Sequence, residues 1–161
     1  MYDNPEICSE CGGKCCKEYP GIAFPSDFDM PNTEKLKAAL ESGKWAIDWW
    51  DGDPKDDESD SLDCAYFIRP ATIDRLGILF DASWGGMCVF LSDSGCMINS
   101  DERPLNCRLV EPRSDGDCIN HFRDKNDMFI KRAAAIEWIP YTEIILNIVE
   151  SITKKREDNL D

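Results

Sequence analysis

Apolar and polar positions along the chain change rhythm three times. Leu36, Ala39 and Leu40 recur at helical spacing behind Asn32, a plausible N-cap, and Gly43 follows, so the pattern predicts a helix over about 33–42. Trp45, Ile47 and Trp49 then alternate with Ala46, Asp48 and Trp50, the period of a strand. Cys64–Ile68, ended by Arg69-Pro70, and Gly77–Phe80 are further strand candidates, and Ile22–Pro25 is a short extended piece after the Pro20-Gly21 turn. Met87–Leu91 and Cys96–Ile98, joined by Ser92–Gly95, read as a β-hairpin that places Cys88 and Cys96 on neighbouring strands. Residues 102–108 and 114–118 read as loops.

The last rhythm is helical. A helix is expected from about 124 to 139, with Phe129, Ala133 and Ile136 on one face, and Pro140 interrupts it. A second, from about 141 to 154, carries Ile144, Ile145, Ile148, Val149 and Ile152 as a stripe and ends on Lys154-Lys155-Arg156. Together these elements predict one α+β domain over 1–161: a cysteine-bearing part, 1–123, with short strands and a hairpin, and C-terminal helices over 124–155.

Charge narrows the function. With 32 acids against 18 Lys and Arg the net charge is −14, which argues against a broad nucleic-acid interface or an anionic membrane surface. Seven acids and one lysine fall between Asp51 and Asp63, read as a solvated loop, with a basic protein partner as the other reading. No apolar run approaches the roughly 20 residues of a membrane span. Met1–Glu6 has neither the basic nor the apolar part of a signal peptide. A cytoplasmic location is therefore expected, where thiols stay reduced.

In that setting nine cysteines read as ligands or redox groups. Cys8, Cys11, Cys15 and Cys16 fall within nine residues, a density that packing does not require. The C-x₂-C spacing lets one turn present two sulfurs to a metal, and Gly12 and Gly13 ease the wrapping that follows. Cys15 and Cys16, if extended, point opposite ways and feed two centres or bridge them. Further ligands are then expected, and Cys88, Cys96, Cys107 and Cys118 bring the set to eight, as two four-cysteine centres or one larger cluster. Taken alone, Cys88 is a small core residue. Cys64 is the spare, with a buried apolar role as its default. Lys14, Lys17, Arg103 and Arg108 stand beside these cysteines and can offset thiolate charge. His121, the one histidine, is an ordinary surface or capping residue, an added ligand or a proton-transfer group.

These residues resemble the zinc- or iron-chelating family named for its CxxCxxCC motif (the YkgJ-like proteins). The resemblance is carried by the first four cysteines, by Cys88–Leu91 and Gly95–Ile98, and by Arg103-Pro104-Leu105-Asn106-Cys107-Arg108, and it spans about 7–120. This chain has three residues between Cys11 and Cys15 where the family's name implies two. The resemblance implies zinc or iron–sulfur binding, a 4Fe–4S cluster included, and no reaction.

The expected function is a metal-binding protein with one or two zinc or iron–sulfur centres. The alternatives are a redox or group-transfer enzyme, with Arg69, Arg103, His121 and the Trp84–Gly86 turn as pocket candidates, and an interaction module that the metal only stabilises. The N-terminal cysteines are half of a composite site, so folding is expected to depend on metal joining them to the middle of the chain.

Overall fold

Helix α1 (Pro5–Cys11) and the short helix α2 (Lys14–Glu18) open the fold. The computed structural model describes residues 4–18, 20–52, 54, 64–83, 85–118 and 130–160. Most of the acidic run, Trp84, His121 and the expected helix start at 124–129 lie outside them. After a 3₁₀ turn at Pro25–Phe28 come α3 (Glu34–Glu41), the strands β1 (Trp45–Trp50) and β2 (Ala65–Pro70), and the two-residue strands β3 (Leu91–Ser92) and β4 (Gly95–Cys96). Helix α4 (Leu105–Leu109), a helix α5 described over 130–138, a 3₁₀ turn at Ile139–Tyr141 and α6 (Thr142–Asp158) complete it. The mixture of helices and small antiparallel sheets is α+β, as the sequence pattern predicts.

Local chemistry accounts for most boundaries. Asn32 Oδ1 accepts from the Glu34 N–H at 3.1 Å, so the residue expected to cap α3 does so from one position before the boundary residue Thr33. Leu36 and Leu40 are buried as expected. Pro140 sits in the 3₁₀ turn that ends α5, and α6 runs four residues beyond its expected end at Lys154. Of the α6 stripe, Ile145, Ile148 and Ile152 are buried. In α5 the expected face differs: Ala133 and Ile136 are exposed, while Ala134, Ala135 and Trp138 are buried. Trp138 dominates there, because its indole fills the core and its Nε1–H donates to Ala23 O at 2.9 Å.

Strands β1 and β2 pair antiparallel, from Trp45 opposite Pro70 to Trp50 opposite Ala65. Isolated bridges add Ala23 beside Ile68 and Phe80 beside Ile47, so the expected third strand shrinks to one bridge. β2 includes Arg69 and Pro70 instead of stopping before them. Proline is tolerated in the terminal pair, and Arg69 finds buried partners. Its Nε donates to Asp48 Oδ2 at 2.8 Å and its Nη2 to Asp81 O at 2.7 Å. Asp81 Oδ2 also lies 3.1 Å from Nη2, as an ion contact without hydrogen-bond alignment.

The buried apolar cluster extends from Ile22 through Phe28, Leu36, Ile47, Tyr66 and Ile68 to Trp138, Ile145 and Ile152. The ring of Phe28 meets Trp45 edge-on with centroids 5.1 Å apart. This core lies between the β1–β2 ladder and helices α3, α5 and α6. The cysteine-bearing segments gather outside it.

Candidate metal centre

The first four cysteines lie on two short helices, where the sequence reading placed a turn. Asn4 Oδ1 accepts from the Ile7 N–H at 3.2 Å to start α1. Gly12 ends it in the left-handed conformation, with φ of 67°. Gly13 repeats that conformation at 71°, and two such residues in succession reverse the chain into α2. Cys8 and Cys11, three apart, therefore share a helix face. Cys15 and Cys16 are helical neighbours, not extended ones, and their sulfurs lie 3.9 Å apart. The expectation that the pair points opposite ways fails with the extended backbone on which it rested.

Distant segments converge on this pair. Cys88 is bridged to Thr72, not placed on a hairpin strand, because the hairpin is only two residues deep on each side. Its N–H donates to Cys16 O at 2.8 Å. Cys96 lies on β4, and a Cβ on Gly95 would come within 3.9 Å of Cys8 O. Cys107 lies on α4, in a segment expected to be loop. A Cβ on Gly21 would collide with its sulfur, so only glycine lets the backbone pass there. Asp27 holds α4 in place: its Oδ2 accepts from the N–H groups of Phe24 and Leu105 at 2.8 and 2.9 Å, and Oδ1 meets Arg108 Nη2 at 2.6 Å. Cys118 Sγ accepts from the Arg113 N–H at 3.1 Å.

The sulfurs perturb one another. Burial pushes the Cys8 thiol up, and the neighbouring charges of Cys15, Cys11 and Cys118 add to this against Arg103. The Cys16 thiol, half-buried and sharing a hydrogen bond with Cys15 near Cys107 and Cys88, is held far above the ordinary thiol range. That hydrogen bond lowers Cys15 to about 7 despite its burial, and Arg103 contributes. Burial raises Cys88 to about 11, with Cys96 and Cys15 adding to it and Arg69 opposing. Burial also raises Cys107, with help from Cys88, Cys96 and Cys15. Cys8 thus feels Cys15, Cys11 and Cys118, while Cys16, Cys88 and Cys107 feel one another, Cys96 or Cys15. Cys15 acts on members of both groups.

Cys64 stands apart. Its Sγ donates to Gly52 O at 2.6 Å, beside the Trp50–Ala65 pair. Cys88 lies beyond the opposite end of that ladder, past Pro70. Five residue steps separate the ends, about 17 Å. Cys64 is half-buried, not the buried apolar residue expected.

All nine cysteines are free thiols. Sulfur of this kind suits zinc and iron–sulfur centres. Among the described residues, however, no three of Cys, His, Asp and Glu stand close enough to hold an ion. The donors have the right chemistry and the same neighbourhood, but they do not close around a point.

Of the basic residues named from the sequence, Arg103 serves the cluster: it acts on Cys8, Cys15 and Cys107, and its Nε donates to Ile98 O at 3.0 Å. Lys14 and Lys17 are exposed, and Arg108 is committed to Asp27. Arg69 is 3% exposed and tied into its carboxylates, so it lines no open pocket. The sequence reading overlooked Gly21 as the passage for Cys107, and Asp27 and Asn106 as supports of α4. Buried Asn106 accepts from the Ile22 N–H at 3.3 Å through Oδ1. An Asp at position 48 inside an apolar strand was the one sequence signal of the Arg69 network.

No helix among the described residues is long and apolar enough to cross a membrane. No protein-family model, curated protein or solved structure matches the chain.

Proposed function

We propose that this protein binds metal through thiolates, in two adjoining centres. Cys8, Cys11, Cys15 and Cys118 would hold one, and Cys16, Cys88, Cys96 and Cys107 the other, with Cys15 placed to bridge. Zinc or iron, as an iron–sulfur cluster, is the cargo that four-sulfur sets of this kind accept. The observation that supports this reading is that eight free thiols, from segments as far apart as α1 and Cys118, act on one another electrostatically, while the ninth is left at the other end of the sheet. The resemblance to the CxxCxxCC family points the same way.

Bound metal would supply positive charge that draws protons off the thiols. The residues of the chain do the rest. Arg103 offsets thiolate charge, Asp27 fixes the helix that carries Cys107, and Gly12 and Gly13 turn the N-terminal helices onto the body. With Cys16, Cys88 and Cys107 raised, a cation must displace protons to enter, so loading is favoured as pH rises. Metal analysis of protein purified without oxygen tests the reading. Stoichiometric zinc or iron is the expected result, and a metal-free folded protein overturns it.

A further inference from the structure

Helices α1 and α2 have an unusual relation to the rest of the fold. The buried apolar cluster begins at Ile22, and no described apolar side chain of residues 4–18 belongs to it or is packed against it. Helix α2 buries no residue. At seven and five residues, both helices are too short to persist by themselves in water. What joins this pair to the body is sparse. The Cys88 N–H donates to Cys16 O at 2.8 Å and the Gly86 N–H to Glu18 O at 2.9 Å. Gly13 lies against Leu91, with no room for a Cβ between them. Helix α1 also lies alongside β4, with Cys8 O close to Gly95, and the cysteines of the pair adjoin those of the body.

A buried backbone hydrogen bond contributes about 1 kcal/mol net, whereas ordering the backbone of one residue costs about 1–2 kcal/mol. Two such bonds and the contacts of α1 and Gly13 with the β3–β4 hairpin offset little of the cost of ordering fifteen residues by this comparison. The core, in contrast, is assembled from residue 22 onward, with no apolar side chain from the described residues 4–18.

We infer that α1 and α2 form a metal-dependent clasp: loaded metal fastens Cys8, Cys11, Cys15 and Cys16 to the body, and metal loss releases this pair of helices while the core stays folded. The inference rests on the metal-binding reading above and adds its consequence for the fold. Release opens the face formed by Cys88, Cys96 and Cys107, so the clasp controls access to the body's half of the sulfur set. It also makes the order of the N-terminus a readout of metal status.

Amide hydrogen exchange, read by mass spectrometry, tests this on the full chain. Protein purified without oxygen is compared with the same protein stripped by a chelator. Stripping should speed exchange at least about tenfold across residues 7–18 and at the Cys88 amide, and leave Ile47 and Ile68 within about twofold. Gly13→Ala, which sets a methyl against Leu91 and strains a left-handed residue, should loosen the same segment in the loaded protein with the same core amides unaffected. Equal protection of 7–18 in loaded and stripped protein overturns the clasp alone. So does loss of Ile47 and Ile68 protection in step with it. A protein that carries no metal overturns both the clasp and the reading on which it rests.

Discussion

Two buried carboxylates a few ångströms from one guanidinium behave differently, and the reason lies in their own partners. Burial pushes Asp48 up, and its bonds to Arg69 and the Trp49 N–H only partly oppose this. Burial also acts on Asp81, but hydrogen bonding by Ser83 and the ion contact with Arg69 prevail and hold it below the ordinary 3.8. A lowered folded value means that Asp81 contributes stability present above pH 3.8 and lost as pH falls through that lower value. Asp81→Asn should therefore cost about 3 kcal/mol near neutrality and flatten the acid limb of the stability curve, measured by urea unfolding across pH. An acid limb as steep in the variant as in the parent would contradict this assignment. Glycine 21 makes a second residue-scale case. Gly21→Ala forces a methyl into the Cys107 sulfur, and metal content should fall, whereas Cys64→Ser should leave it unchanged.

The elements were unequally legible from sequence. Helix α3, strand β1 and helix α6 follow from period and caps, because each buries one face against the same core. The sulfur-bearing elements do not, because they are short and are fixed by contacts remote in sequence. Cys107 sits on α4, which exists where Asp27, seventy-eight positions before Leu105, receives its first N–H. No local pattern announces that pairing. The four-cysteine cluster was visible as chemistry, but its helical backbone was not, since two glycines in succession read equally well as a loose turn. For α4 the expected outcome is specific. Asp27→Ala removes the acceptor for two N–H groups and for Arg108, and it should lower stability by about 2 kcal/mol. It should also reduce metal per chain. Retained metal with lowered stability would mean that Cys107 is positioned by Gly21 and Asn106 alone.

At the scale of the molecule, two kinds of electrostatics coexist. The surplus of 14 negative charges is spread over the chain and opposes compaction by self-repulsion. The Arg69 network is buried and largely shielded from salt. Raising potassium chloride from about 20 mM to about 500 mM shortens the screening length from about 20 Å to about 4 Å. The midpoint of thermal unfolding should therefore rise, by a few degrees. The increment should persist in Asp81→Asn, because the net charge changes there by only one and the exposed charges not at all. A midpoint that falls with salt would place the dominant charge effect in attractive pairs, contrary to the composition.

Cys64, hydrogen-bonded to Gly52 at the far end of the sheet, gives the molecule an internal counting standard. In a fully loaded protein eight sulfurs would be spoken for, and a thiol-alkylating reagent would add a single mass increment, at Cys64. Every further increment would then mark a ligand set free. One mass spectrum of the intact chain would report the loading of each molecule in a mixed population, with no calibration beyond the protein itself.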